Sequence, residues 1–399
     1  MGQKSPLPPH PAYQEPCHPA QPSRPLQKKM SPCRPFFVSL QRQQHNDIMT
    51  IGLCMGQFCP LHQGHLDLIM RAKKENDRCI VAVLGGGGAD PRFPHPRRTQ
   101  LVREFFMSDP HVQVIGLEPT AVGPDGSPTP SGWRAALDQV SRLADRPSAS
   151  ITTYTATPAH VEPLRQAGGR PLLVPQEQAL QSTQIRRNPL PYWQKIAAPF
   201  RPYLTRNLLV LGTASEGKTT LVNDVARYFG LPTAVEWGRV YMEQHSLRDP
   251  DLTVDDFVEF LTGQVRLCQQ AIRQASQGIM LSDTDNLTTL MYAKAYAEDG
   301  RMRLTPQDYA EVLYPLARSL SGQIQWDRIF LLQPGGTYVD DGLSFMGQSS
   351  MNQRQANHRK LLGLLYDFGL DDRVVLLQGG RYLQNFQTLK TYIHDLLDQ

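Results

Sequence analysis

A Gly-x-x-x-x-Gly-Lys-Thr run from Gly212 to Thr219 lies between an apolar run at 207–211 (NLLVL) and a segment with helical patterning that begins at 218. The glycines let the backbone wrap a phosphate with its N–H groups inward, and the start of the next helix adds partial positive charge. That work needs a strand, a tight loop and a helix in this order, which implies a parallel α/β sheet. Lys218 is placed to reach β- and γ-phosphates and Thr219 to hold Mg²⁺, with Gly212, Ser215, Glu216, Gly217 and Thr220 completing the ATP-side loop. A chance glycine turn would explain the loop but not its flanking order.

Such a loop needs an acid at the end of a neighbouring strand. The apolar run 279–282 ends in Asp283-Thr284-Asp285. One acid suits the metal side, and the other could take a proton from a substrate hydroxyl. Capping of the next helix is the competing reading for Asp285. Glu236-Trp237-Gly238-Arg239 follows another expected strand. There Glu236 could grip ribose hydroxyls while the aromatic faces a base; a packed Trp with a surface ion pair is the plainer alternative.

A second phosphate loop precedes the first by about 150 residues, in MGQFCPLHQGH at 55–65. Gly56, Phe58, Gly64, His62 and His65 form a patterned loop between an expected strand at 49–55 and an expected helix at 65–74. Two His side chains at a helix N-terminus can donate to phosphates and stabilise charge on a pentavalent transition state and on leaving pyrophosphate. Core histidines or zinc are the other readings; two His at i, i+3 without a third nearby ligand argue against metal. The pattern resembles the signature of nucleotidyltransferases. In those enzymes a late Ser/Thr-x-x-Arg turn holds the β/γ phosphates, and Ser182-Thr183-Gln184-Ile185-Arg186 stands where it would be needed.

Expected strands at 79–84, 112–117, 150–155 and 172–174 alternate with helices at 98–106 and 135–143, so 49–190 reads as one α/β domain. A Pro-interrupted connector at 191–206 leads to a second α/β domain at 207–399. Its further strands are expected at 328–332 and 374–377, and its helices near 218–229, 254–276, 285–297, 305–320, 353–368 and 383–397. Residues 1–48 hold ten of the 33 prolines and the whole +4 excess of charge; 49–399 is neutral, without the basic surplus of a nucleic-acid binder. The segment reads as a disordered extension, with Met49 a candidate start. Six cysteines without a C-x-x-C pair, no apolar run of membrane length and no secretory signal suggest a cytoplasmic protein with reduced thiols.

With both loops in order and STQIRRNPLPYW joining the halves, the chain resembles NadR-type bifunctional proteins over about residues 49–395. SGWRAAL, EWGRVY, SDTDNLTT and VDDGLSFMGQ add to the resemblance. It implies a Rossmann-like nucleotidyltransferase domain followed by a P-loop kinase domain. It further implies phosphorylation of nicotinamide riboside by ATP to the mononucleotide (NMN), then adenylyl transfer from ATP to NMN, giving NAD and pyrophosphate. By position, His62, His65 and Arg186 would contact ATP phosphates, Arg98 would lie near the nucleotide and Trp133 would stack on nicotinamide. Lys218, Thr219 and Mg²⁺ would serve the kinase, with Asp283, Asp285, Glu236 and Arg239 near the riboside. Helix packing is the alternative for Arg98 and Trp133.

Three departures follow. Enteric NadR proteins begin with a helix-turn-helix domain; residues 1–48 are too short and Pro-rich for one, so no operator binding is expected. Asp341-Gly342-Leu343-Ser344 stands where the family often reads DGLR, leaving Arg354 or Arg359 to replace a lid arginine. GGGGADPRF replaces a more acidic loop. A chain with one active half, a nucleotide-sensing regulator, a phosphopantetheine substrate and homo-oligomerisation all stay open at this level.

Overall fold

The computed structural model describes residues 49–398 except 87–89, 120, 122–127, 177–179, 301–302 and 336–349. The extension 1–48, Gly87 and Gly88 of the GGGG turn, and Ser344 therefore lie outside the described residues.

The first half is a parallel sheet of β1 (Ile51–Gly56), β2 (Arg78–Gly85), β3 (Val112–Pro119), β4 (Ile151–Thr155) and β5 (Arg170–Leu173), in the order β3-β2-β1-β4-β5. Its helices are α1 (Gln63–Glu75), α2 (His95–Phe105), α3 (Pro130–Ala144), α4 (Val161–Gln166) and α5 (Ser182–Arg187). Strand order reverses at β1, between β2 and β4, and the histidine loop leaves the carboxyl end of β1. That is the switch point where open α/β sheets bind ligands.

The second half repeats the plan. Strands β6 (Arg206–Leu211), β7 (Thr233–Ala234), β8 (Ile279–Asp283), β9 (Arg328–Leu332) and β10 (Val374–Leu377) form a parallel sheet ordered β10-β9-β6-β8-β7. Central β6 and β8 are almost wholly buried, so they read as unbroken apolar runs. Around them lie α6 (Lys218–Phe229), α7 (Trp237–His245), α8 (Val254–Gln274), α9 (Asn286–Glu298), α10 (Pro306–Asp308), α11 (Tyr314–Leu320), α12 (Met351–Asp367) and α13 (Tyr382–Asp398). The single helix expected at 305–320 is broken by a π turn, Tyr309–Leu313. Pro315 has no N–H to give the preceding turn, and the ladder shifts register there.

The connector is two 3₁₀ segments, Leu190–Lys195 and Ala198–Tyr203, and it packs into both halves. Ala197 donates its N–H to the Leu61 carbonyl at 3.0 Å, and Ile196 forms an antiparallel bridge with His62. On the other side Leu190 and Trp193 cover Gly278, where an added Cβ would lie 2.6 Å from Leu190 and 2.7 Å from Trp193. One buried cluster runs from Leu61 and Ile69 through Trp193, Phe200 and Leu204 to Leu208, Val225 and Ile393. The halves are thus joined by continuous apolar packing.

Candidate active sites

In the first site, His62 is the N-cap residue of α1, and the His65 N–H donates to its carbonyl at 2.9 Å. The two rings stack 3.7 Å apart, and Phe58 meets His65 edge-on at 5.1 Å. Burial lowers the His62 pKa from 6.5 to about 4, and burial with the adjacent His62 holds His65 well below its usual range. Both imidazoles are neutral at pH 7, and both Nδ1 atoms are buried without a hydrogen-bond partner.

Two guanidinium groups flank this pair. Arg186 Nη1 donates to the Cys59 carbonyl at 2.6 Å, and Arg98 Nη1 to that of Gln57 at 2.5 Å. Arg98 is only 1% exposed, and its Nε has no partner. Burial, and to a smaller degree Arg186, lowers its pKa. A buried guanidinium with unmet donors is costly unless an anion completes it. Arg92 pairs with Asp90 at 2.6 Å and donates to the Arg186 carbonyl at 3.3 Å, so what remains described of the glycine-rich loop braces this arginine. Gln176 donates to the Gly64 carbonyl at 2.5 Å, fixing the start of α1.

In the second site, Lys218 Nζ donates to the Thr213 carbonyl at 3.0 Å. Thr219 Oγ1 donates to Asp283 Oδ2 at 2.5 Å. Asp283 is buried, and its Oδ1 has no hydrogen-bond partner. A hydroxyl beside an uncommitted carboxylate oxygen fits a hard cation that keeps most of its waters and nucleotide ligands. No group of three or more His, Cys, Asp or Glu able to hold a metal occurs among the described residues, so a cation here would rely on phosphates as well. The loop opens on a cavity of about 410 Å³ whose polar wall includes Ser215, Thr220, Glu236, Arg239 and Asp249.

The comparisons agree with this geometry. Residues 53–126 match the cytidylyltransferase-like family and 207–382 an AAA domain family. The trifunctional NAD biosynthesis/regulator protein NadR of Escherichia coli (strain K12) is 27% identical over 316 residues, covering 75% of this chain and 73% of that protein. A NadR crystal structure in complex with NAD and AMP-PNP superposes with a TM-score of 0.73 at 28% identity, covering 88% of this chain and 97% of that one. A NadR structure in complex with NR gives 0.74 at 29%, with the same coverage. The chain is thus similar to NadR proteins in sequence and fold over most of its length.

The fold unites most of the residues singled out from sequence. His62, His65, Phe58, Arg98 and Arg186 gather at the first loop, with Gly56 ending β1 and Gly64 in the first turn of α1. Ser215, Gly217, Lys218, Thr219, Thr220, Glu236 and Arg239 border the second cavity.

Other residues lie elsewhere. Trp133 is 3% exposed in the core behind the first sheet, tilted against His160 at 5.2 Å. Glu216 turns away from the cavity into a buried ion pair with Arg354 at 2.9 Å and accepts the Gly335 N–H at 3.1 Å. Of the two arginines proposed to replace a lid arginine, Arg354 is therefore tied to the phosphate loop, whereas Arg359 lines a separate groove with Lys294 and Tyr309. Asp285 caps α9, accepting from the Leu287 N–H at 2.9 Å, and faces a different cavity of about 130 Å³ beside Cys268 and Trp326. Burial pushes its pKa up to about 7.

The sequence reading missed Asp249 and the aromatic walls Phe257, Phe260, Tyr292 and Tyr296. Spacing could have exposed the last two: Thr289, Tyr292 and Tyr296 fall on one face of α9.

Proposed function

We propose that the second half phosphorylates nicotinamide riboside from ATP, and that the first half joins the resulting NMN to the adenylyl group of ATP, giving NAD and pyrophosphate. The observation that carries this reading is the pair of phosphate loops, each at the switch point of its own parallel sheet. The crystal structures of similar proteins, described with NAD, AMP-PNP and NR, support the substrate assignment.

In the second half, Lys218 leaves the Thr213 carbonyl for the β- and γ-phosphates, and the loop N–H groups hold their oxygens. Thr219 and Asp283 would hold Mg²⁺, which neutralises charge on the transferring phosphate. The riboside lies in the cavity with its ribose toward Glu236 and Arg239 and its ring among the aromatic walls. Asp249, buried at the same cavity, is positioned to accept the proton of the attacking hydroxyl.

In the first half the attacking group is the NMN phosphate, so no side chain need act as nucleophile. Neutral His62 and His65 donate hydrogen bonds to the ATP phosphates. Arg98 and Arg186 exchange loop carbonyls for phosphate oxygens and stabilise the leaving pyrophosphate.

The test is a coupled assay with purified chain, Mg²⁺, ATP and nicotinamide riboside, resolved by chromatography. NAD as the product supports both steps. NMN alone would leave only the kinase. If neither forms, and NMN supplied directly is also not converted, both activities are refuted.

A further inference from the structure

The cavity acid Glu236 is the N-cap residue of α7, yet its side chain makes no cap hydrogen bond. An N-cap carboxylate ordinarily turns back onto the helix N–H groups. The backbone around Glu236 is held instead from α8, through the first N–H of α7. Gln264 Oε1 accepts the Trp237 N–H at 2.8 Å, and Gln264 Nε2 donates to the Val235 carbonyl at 3.2 Å. A single amide therefore clasps the backbone on both sides of Glu236. It is 3% exposed and borders the same cavity. Its orientation follows from its partners, since a flipped amide would set donor against donor and acceptor against acceptor.

The neighbouring residue completes the arrangement. An added Cβ on Gly263 would lie 2.0 Å from Nε1 of Trp237. The indole occupies the space a side chain would need, anchoring the residue after Glu236 against α8. Arg239, one turn along α7, stands 4.0 Å from the Glu236 carboxylate.

We propose that Gln264 is a positioning residue for the riboside: by clasping the backbone on both sides of Glu236, it directs that carboxylate to the vicinal hydroxyls of the ribose. This rests on the kinase reading of the cavity. Gln264 acts through Glu236, not on the phosphates, so its loss should separate the two substrates.

The experiment compares Gln264→Leu with the wild-type chain. KM for nicotinamide riboside should rise by about tenfold or more, the ratio set by ~1.4 kcal/mol. KM for ATP should stay within about twofold, well inside that ratio. Riboside affinity measured by calorimetry without ATP should fall in parallel. In the Glu236→Ala background, Gln264→Leu should add almost nothing. Gln264→Glu keeps the acceptor and loses the donor, should fall between, and serves if the leucine variant does not fold. Adenylyl transfer by the first half reports folding in the same sample.

Equal losses for riboside and ATP, or losses that add fully to Glu236→Ala, would overturn the proposal. A wild-type chain that binds the riboside without phosphorylating it would refute the kinase reading alone, with the clamp still read from affinity. A chain that does neither would overturn both.

Discussion

The two phosphate loops solve one problem with different chemistry. In each, the cations already lean on carbonyls of the loop they serve: Arg98 on Gln57 and Arg186 on Cys59 in the first, Lys218 on Thr213 in the second. These groups exchange one acceptor for another when a phosphate arrives, so little ordering is left to binding. The difference lies in the acid. The second loop has Asp283 against Thr219, a place for a cation. The first has stacked, neutral imidazoles, and among the described residues no carboxylate is bonded to them. On the proposed reading, the second loop would seat a cation beside the transferred phosphate, and the first would offer donors to the departing pyrophosphate.

The largest expected effects break the comparison into its halves. Lys218→Ala should lower phosphorylation by about 10²–10³-fold or more while leaving adenylyl transfer unchanged, and His65→Ala should do the reverse. Separate assays with riboside and with NMN check this. Loss of both activities from either change, with folding intact, would contradict two separate sites.

Next is the buried ion pair of the second loop. Glu216 and Arg354 are 0% and 4% exposed at the side chain. Arg354→Ala leaves a buried carboxylate without its cation and should cost about 3–5 kcal/mol, read by urea unfolding. A loss below about 1 kcal/mol would class the pair with surface bridges.

A pH experiment sharpens the first loop. His62 titrates near 4 when folded against 6.5 when exposed, so the unfolded chain binds more protons between those values. Its contribution is complete above pH 6.5 and is lost as the pH falls toward 4. His62→Gln should flatten that part of the stability curve. An unchanged slope would mean that the imidazole is not held neutral.

The smallest effect concerns Asp285. Its folded pKa, near 7, lies above the ordinary 3.8, so the folded chain binds the extra proton and stability falls as pH rises from 3.8 to 7. Asp285→Asn keeps a good cap and should remove this loss, leaving phosphorylation within about twofold. A drop of about 10²-fold or more would restore Asp285 as a proton acceptor.

Legibility followed how local the cause was. The strands before both loops could be read because buried parallel strands are unbroken apolar runs, and α6 fell at 218–229 as expected. The helix α7 was missed because its start, at Glu236, is completed by Gln264 from 28 residues away. Asp283 and Asp285 look alike in sequence, but across the left-handed backbone of Thr284, φ 71°, Asp283 meets Thr219 of the phosphate loop while Asp285 caps α9. Trp237 looked like a ring wall, but the space above Gly263 takes its indole, and the aromatic lining comes from α8 and α9. These outcomes depend on packing between elements, which single-segment patterns do not carry.

The most direct measurement is complementation. Lys218→Ala and His65→Ala chains are assayed for NAD from nicotinamide riboside, ATP and Mg²⁺, each alone and then mixed. Neither should make NAD alone, and the mixture should, because NMN made by the second half of one chain feeds the first half of the other. A mixture as silent as its components, with both proteins folded and each retaining its own half-reaction, would contradict two independent sites joined by a released intermediate.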